Sequence, residues 1–348
     1  MKDSRAPGRD ALGMTSFPSR RSVLLAAGGM AAGAVAAAPG AASAGQIITR
    51  QIPSTGERVP ALGLGTFMTF DRWPHIPRDD LREVLRLFWA GGGRVVDTSP
   101  LYGLSEANVG EFGKALGINR RMFVTNKLWT TGRYLNDDSH AVAQRDRSLA
   151  LLGRDQLDVV QVHSVVAPEM NMPILRRWKA EGKIRMLGIT HHDPMYYPII
   201  EHWIRTGDLD FVQIHYSIQM RVAERGLLDL AADHGTAVMV NMPLEKARLH
   251  ALVGDRPLPR IADEIGARTW AQFFLKYVLA HPAVTVVLPA TTNPRHQRDN
   301  LGALTGPLPD RGQCRQMVRH METIDGFAGL QSMPWYPGKT FDGQVRLG

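Results

Sequence analysis

The chain has 348 residues, of which 44% are hydrophobic and 21% charged, so it can bury a sizeable core as one large α/β domain or as two smaller ones. Its formal net charge is +8 at pH 7, but the basic residues are spread along the chain without a run or a recognition motif, which argues against nucleic-acid binding. The single cysteine, Cys314, excludes an intrachain disulfide and any cysteine-pair metal motif.

The first 44 residues are organised like an export signal. Arg20 and Arg21 precede a mildly apolar stretch over residues 23–38, and Ala42-Ser43-Ala44 offers an A-x-A cleavage site. This order of regions resembles a twin-arginine (Tat) signal peptide. It predicts transport by the Tat machinery to the periplasm or the exterior, and a mature chain without a stable membrane span. An uncleaved N-terminal membrane anchor is the alternative, although residues 23–38 are short and weakly hydrophobic for a span.

From about residue 46, strand-like and helix-like segments alternate. A short β-hairpin is predicted first, around Ser54-Thr55-Gly56. Apolar runs then predict strands at residues 61–66, 94–97, 122–127, 157–163, 184–190, 211–216, 237–242 and 284–289. Amphipathic patterns predict the intervening helices at residues 78–90, 105–116, 139–151, 170–181, 194–205, 222–234 and 260–280, with another helix after residue 293.

Strands that alternate with helices imply parallel pairing. Eight such units in roughly 250 residues fit a (β/α)8 TIM barrel better than an open sheet. No G-x-G-x-x-G follows the first strand, which counts against a Rossmann domain. We therefore predict a signal peptide at 1–44, a single barrel domain with its N-terminal hairpin at 45–325, and a tail at 326–348 that covers the barrel mouth or lies on the surface.

Four polar residues end or follow predicted strands, where a barrel builds its active site. They are Asp97, Tyr102, Lys127 and His163. A nearby ammonium lowers the pKa of a tyrosine, so Lys127 would tune Tyr102 as a proton donor while Asp97 holds the lysine and His163 orients a carbonyl. A hydride must come from a cofactor, because no side chain donates one. Each residue taken alone also fits a structural role, such as a cap or a packed core histidine; their joint placement predicts a carbonyl reductase.

The same residues carry a resemblance to a known family. Asp97-Thr98-Ser99-Pro100-Leu101-Tyr102-Gly103 resembles the Asp-Thr-Ala-x-x-Tyr-Gly signature of the aldo-keto reductases, and Lys127 and His163 match the other two catalytic positions. The opening segment, residues 59–66, also fits, and the likeness covers roughly residues 47–305. The resemblance implies a (β/α)8 barrel, a nicotinamide cofactor across the barrel mouth, a small-molecule carbonyl substrate and no metal.

Cofactor-binding positions carry over from the resemblance less cleanly. They are Thr66, Thr190, His191, Gln213, Asn241, Thr291, Asn293, Arg295, Asp299 and Asn300. His191 stands where the family usually has an amide, and Asn241 where it usually has an aromatic ring that stacks on the nicotinamide. Thr291 and Asn293 would approach the phosphate with help from the following helix N-terminus. With Arg295 and Arg298 nearby, NADPH is the predicted cofactor and NADH the alternative.

Other interpretations stay open at this point. A non-catalytic exported barrel that binds a nucleotide or a protein partner is the main alternative; all four catalytic positions are kept, which counts against it, but the departures at His191 and Asn241 leave it open. A glycoside hydrolase needs paired carboxylates, and only Glu245 could partner Asp97. The run His191-His192-Asp193 suggests a metal site or, more simply, the start of a helix. Trp73, Trp129, Trp335 and Tyr336 fall in loops that could line a substrate pocket.

Overall fold

The computed structural model describes residues 46–206 and 208–338. Two strands form an N-terminal antiparallel hairpin, and eight more form a parallel sheet in chain order. The hairpin strands are β1 (Thr49–Gln51) and β2 (Arg58–Pro60). The parallel strands are β3 (Leu64–Gly65), β4 (Val95–Asp97), β5 (Phe123–Leu128), β6 (Leu157–Val162), β7 (Ile184–His191), β8 (Phe211–His215), β9 (Ala237–Asn241) and β10 (Val284–Val287).

Helices connect successive strands and surround the sheet. The α-helices are α1 (Asp79–Ala90), α2 (Ser105–Ala115), α3 (Ser139–Leu152), α4 (Pro168–Ala180), α5 (Tyr197–Arg205), α6 (Leu227–Asp233), α7 (Arg248–Val253), α8 (Ile261–Glu264), α9 (Trp270–Ala280), α10 (Pro294–Leu301) and α11 (Arg311–Glu322). Short 3₁₀ turns lie at Gly132–Leu135, His163–Val165, Pro194–Tyr196, Val222–Arg225, Glu245–Ala247, Gly302–Leu304 and Leu330–Ser332.

Backbone hydrogen bonds between the first and last parallel strands close the sheet into a barrel. Val287 N donates to Ala61 O over 2.9 Å, and Gly63 N donates to Val287 O over 2.8 Å. Leu62 and Val287 form the corresponding parallel bridge. The predicted (β/α)8 TIM barrel with an N-terminal hairpin is therefore confirmed.

The hairpin plugs the N-terminal end of the barrel. Ile52 and Val59 are buried in the barrel interior, in one cluster with apolar side chains from the parallel strands and from the residue after β10, namely Val95, Phe123, Val159, Met186, Phe211, Ala237, Met239, Val286 and Leu288. A larger apolar core fills the layer between strands and helices. In α1, for example, Leu81, Val84, Leu85 and Phe88 share one buried face, as the sequence spacing predicts.

Some predicted helices are shorter or interrupted. The segment predicted as one helix over residues 260–280 is two, because Thr269 starts a new helix by accepting a hydrogen bond from Gln272 N. The segment 222–234 is broken at Gly226, whose φ of 135° is incompatible with a helix. Within the described residues, no helix has both the length and the apolar character needed to cross a membrane.

Candidate active site

A cavity of about 700 Å³ opens at the C-terminal ends of the parallel strands. It extends from the ends of β3 and β4 to the N-terminal part of α10. Three of the four predicted catalytic residues, Asp97, Tyr102 and His163, line its wall. Lys127 lies directly behind Asp97, to which it is hydrogen-bonded. The structure therefore brings together the four positions that the sequence placed at strand ends.

Asp97 and Lys127 form a buried ion pair. Lys127 Nζ lies 2.8 and 2.9 Å from the two carboxylate oxygens of Asp97 and donates to Thr98 O over 2.9 Å. Thr125 Oγ1 and Gln213 Nε2 also donate to Asp97 Oδ1, at 2.6 and 2.9 Å. Burial lowers the pKa of Lys127, and the charge of Asp97 opposes that shift. The ammonium is thus held rigidly at the floor of the cavity.

Tyr102 lies above this ion pair. Lys127 Nζ is 4.9 Å from the centroid of its ring, and Phe67 packs against the same ring at 5.0 Å. The sequence predicts a lowered pKa for Tyr102, but in the structure this pKa is raised. Burial, followed by the charge of Asp97, raises the pKa well above 10. The phenol is therefore protonated near neutral pH.

His163 follows the last residue of β6 and faces Tyr102, with ring centroids 5.8 Å apart. Burial, and then the charge of Lys127, lower its pKa from 6.5 to about 3. The imidazole is therefore neutral near pH 7. Its Nδ1 lies 3.2 Å from Ser99 Oγ, which also accepts a hydrogen bond from Leu101 N. A hydroxyl that accepts from an amide can still donate to Nδ1, and in that arrangement the ring proton lies on Nε2.

Most of the predicted cofactor residues line the same cavity. These are Thr66, Thr190, His191, Gln213, Asn241, Thr291, Asp299 and Asn300. The hydroxyl of Thr190 donates to Gln213 Oε1 over 3.0 Å, so the neighbouring strands β7 and β8 present an ordered polar row. Thr66 Oγ1 donates to the carbonyl oxygen of Asp97, and His191 Nδ1 accepts from the backbone of Asp193.

Asn293 and Arg295 do not line the cavity. The Asn293 side chain accepts a hydrogen bond from Arg295 N over 2.9 Å and so caps α10, while the Arg295 side chain is exposed. Asp299 lies on the cavity wall, but its carboxylate accepts hydrogen bonds from Thr269 and Gln272. The structure thus assigns local structural contacts to two of these predicted side chains, those of Asn293 and Asp299.

Several cavity residues were not predicted as site residues. They include Phe67, His192, Lys246, His250 and Trp270. Of the four aromatic loop candidates, Trp335 and Tyr336 line the cavity, whereas Trp73 and Trp129 do not. The described part of the tail therefore reaches the barrel mouth. Among residues 46–206 and 208–338, no group of His, Cys, Asp or Glu side chains is arranged to hold a metal ion.

The cavity fits a nicotinamide cofactor on a specific structural observation. The Oδ1 atom of Asn241 is buried at the cavity wall and accepts no hydrogen bond from the described residues. A buried acceptor without a donor is costly, so a ligand with an N–H group at this point would stabilise the site. A carboxamide meets this need, and the polar groups of Gln213 and Thr190 lie on the next two strands, β8 and β7.

Comparison with known proteins agrees with this geometry. The family model described as "Aldo/keto reductase family" matches residues 61–315. The NADH-specific methylglyoxal reductase of Escherichia coli (strain K12) is 27% identical over 282 residues, covering 66% of this chain and 85% of that protein. The L-galactose dehydrogenase of Arabidopsis thaliana is 25% identical over 322 residues, covering 84% of this chain and 98% of that protein.

A solved structure shows the same architecture. The aldo/keto reductase from Klebsiella pneumoniae in complex with NADP and acetate superposes with a TM-score of 0.62 at 25% identity, covering 76% of this chain and 92% of that one. The barrel and the family match together define an oxidoreductase. This chain belongs to the aldo/keto reductase family, and it is an NAD(P)H-dependent enzyme of that class.

Proposed function

We propose that this protein is an exported aldo/keto reductase that reduces an aldehyde or ketone to an alcohol, with Tyr102 as the proton donor. The observation that carries the proposal is the position of the protonated phenol. Tyr102 lines the cavity beside a neutral His163 and 4.9 Å from a buried ammonium. A carbonyl oxygen held between these two rings would have a hydrogen-bond donor on each side.

The protein side of the reaction follows from this arrangement. NADPH, or alternatively NADH, would supply the hydride, with Thr66, Thr190, His191, Gln213 and Asn241 nearest to the reacting end. The Nε2–H of His163 orients the carbonyl oxygen, and Tyr102 transfers its proton to that oxygen as negative charge develops there. Lys127 then stabilises the phenolate left behind, and Asp97 keeps the lysine in place. The raised pKa of Tyr102 makes it a fully loaded donor before the reaction.

Thr291, Asn293, Arg295, Asp299 and Asn300 stay proposals for the distal part of the cofactor. Support for NADPH comes from the positively charged side chains of Arg295 and Arg298 on α10 and from the Klebsiella pneumoniae relative in complex with NADP. The NADH-specific relative from Escherichia coli keeps NADH as the second candidate.

Export is proposed from the sequence of residues 1–44, which lie outside the described residues. The twin arginines, the Ala/Gly-rich stretch and the A-x-A site support a Tat signal that delivers the enzyme to the periplasm or beyond. An N-terminal membrane anchor is the second candidate. On this proposal the barrel domain is residues 45–325 and the tail is residues 326–348.

The test is oxidation of NADPH and NADH by the full chain with a panel of reactive aldehydes. Replacing Tyr102→Phe should lower kcat by about 100-fold or more, the usual effect of removing a positioned proton donor. Cofactor affinity should stay unchanged, and Tyr134→Phe, at an exposed tyrosine, should leave the rate unchanged. A folded wild-type protein without turnover for any aldehyde would instead favour a non-catalytic binding barrel.

A further inference from the structure

The loop between β9 and α7 has an unusual backbone. Met242, Glu245, Lys246 and Ala247 all have positive φ angles, between 49° and 67°, although none is glycine. Residues with side chains rarely adopt this conformation, and it persists only where the surroundings enforce it. The loop lines the cavity, so its strained backbone fixes the side chains that it presents to the cavity.

A buried network around Glu245 enforces the loop conformation. Its Oε1 lies 2.5 Å from His215 Nε2 and 2.6 Å from Ser217 Oγ, and its Oε2 lies 2.6 Å from Arg248 Nη2 and 2.9 Å from Gln331 Nε2. The hydrogen bond from His215 and those from the other partners outweigh burial, so the pKa of Glu245 is lowered. The carboxylate is therefore saturated with partners, among them the guanidinium of Arg248.

The next residue, Lys246, points its ammonium into the cavity. Lys246 Nζ lies 2.9 Å from the centroid of the Trp335 ring and 4.9 Å from that of Phe67. Phe67 in turn packs on Tyr102. Among the described residues, no carboxylate lies within ion-pair distance of Lys246 Nζ. Aromatic faces attract a cation but leave its N–H groups without strong acceptors.

His192 packs edge-on against Trp335 on the same side of the cavity. Burial, and then the charge of Lys246, lower the pKa of His192 to about 4, so this imidazole is uncharged near pH 7. On this side of the cavity Lys246 therefore supplies one positive charge, and the ring of Phe67 lies between it and Tyr102. A single ammonium matches a monoanion, whereas a phosphate dianion would need further positive charge.

We propose that Lys246 binds the carboxylate of the substrate, so that the enzyme prefers aldehydes or ketones that carry an acidic group. This inference rests on the proposed reductase function and narrows its substrate class. A carboxylate would accept the N–H donors of Lys246 while the carbonyl end of the same molecule reaches Tyr102, which lies one aromatic ring away.

The inference predicts a pH dependence for acidic substrates only. Burial, and then the charge of Arg248, lower the pKa of Lys246 to about 7, while Glu245 opposes the shift. The other titratable groups that face this region, His192, Tyr102 and Tyr336, are neutral near pH 7 because burial shifts each pKa away from neutrality. Since only protonated Lys246 attracts an anion, kcat/KM for an acidic aldehyde should fall as pH rises through about 7.

The experiment compares succinic semialdehyde with butanal, which share a four-carbon chain but differ in the carboxylate. Lys246→Met should lower kcat/KM for succinic semialdehyde by roughly tenfold to a hundredfold, the range for losing a hydrogen bond between charged groups. Butanal turnover should change little, and Lys246→Arg should restore most of the preference. Lys114→Met, at an exposed lysine of α2, is the matched control.

Two further measurements separate the possible failures. NADPH affinity, measured by fluorescence titration, should be the same in wild type and Lys246→Met. A loss of NADPH affinity with an unchanged ratio of kcat/KM for the two aldehydes would overturn the proposal and assign the lysine to a cofactor phosphate.

Calorimetric titration with 4-hydroxybutyrate and 1-butanol, in the presence of NADP⁺, tests the site without turnover. If no aldehyde is reduced, the reductase proposal fails. Even then, wild-type binding of 4-hydroxybutyrate that Lys246→Met loses supports the carboxylate site, and its absence from wild type overturns it.

Discussion

Ser99 connects a backbone amide to the imidazole of His163. The hydroxyl accepts from Leu101 N and lies 3.2 Å from His163 Nδ1, an arrangement that we expect to favour the tautomer with its proton on Nε2. Because the pKa of His163 is about 3, the ring does not change charge near neutral pH. Ser99 therefore acts as a positioning residue: it sets which imidazole nitrogen can donate to the carbonyl.

Replacing Ser99→Ala should lower kcat by about threefold to tenfold, since one neutral hydrogen bond contributes about 1 kcal/mol. Cofactor affinity should not change. The decisive measurement is the pair of ¹⁵N chemical shifts of the His163 ring, which distinguish the two tautomers. Wild type should show the proton on Nε2, and the variant a mixture. A ring in wild type with its proton on Nδ1 would refute this role.

At the scale of elements, α2 and α3 approach each other closely at Gly110. A Cβ built on Gly110 would overlap the backbone carbonyl oxygen of Leu151, and backbone atoms cannot move aside as a flexible side chain can. The glycine thus sets the separation of the two helices that flank β5. These helices cover the strand that carries Lys127, so their spacing supports the site from outside.

Gly110→Ala should destabilise the protein by about 1–3 kcal/mol, the typical cost of overpacking. This cost exceeds the gain in helix propensity from replacing glycine, which is about 1 kcal/mol or less. Urea unfolding of both proteins measures the difference. Gly312→Ala in α11 is the control, because its Cβ would meet side-chain atoms rather than backbone, Asp310 Oδ1 at 3.1 Å and Arg315 Nη2 at 3.8 Å. Equal effects of the two substitutions would contradict this account.

The sequence predicts the barrel well because its signals are local. Apolar runs that end in polar residues mark the strands, and for this reason Asp97 and Lys127 are placed correctly. Interruptions of helices are harder to predict. Gly226 leaves its helix through a positive φ that many glycines do not adopt, and Thr269 resembles any other threonine until its side chain caps α9.

The cavity wall near Lys246 could not be predicted from local pattern. Its loop adopts left-handed backbone angles without glycine, because Glu245 is bound by residues distant in the chain, such as His215 and Gln331. Trp335 contacts Lys246 from the tail, across a separation that no periodic pattern encodes. The only sequence signal for this part of the site is a lysine in the loop that follows a predicted strand. The sequence likewise predicts the wrong direction for the shift of the Tyr102 pKa, because that shift depends on burial in the assembled fold.

For the whole molecule, the proposed export implies that cofactor and barrel meet before transport. The twin-arginine pattern in residues 1–44, which resembles a Tat signal, is the sequence basis for this proposal. Substituting Arg20→Lys together with Arg21→Lys should reduce the exported fraction to background in a host with a Tat system. Immunoblots of periplasmic and cytoplasmic fractions measure that fraction. If wild type and the double variant are exported equally, the twin-arginine assignment is refuted. If wild type is found in the membrane fraction, the N-terminal anchor is supported instead.

The hairpin closes the N-terminal end of the barrel, so the cavity is closed at its base and opens at the C-terminal ends of the strands. With Ile52 and Val59 filling its base, the cavity opens towards the rim where Trp335 and Lys246 lie, and Gln213 and Asp97 form its floor. Two molecules that bind in a cavity closed at its base cannot pass each other. We therefore expect the molecule bound at the floor to bind first and leave last, so that steady-state kinetics are ordered and its release limits turnover.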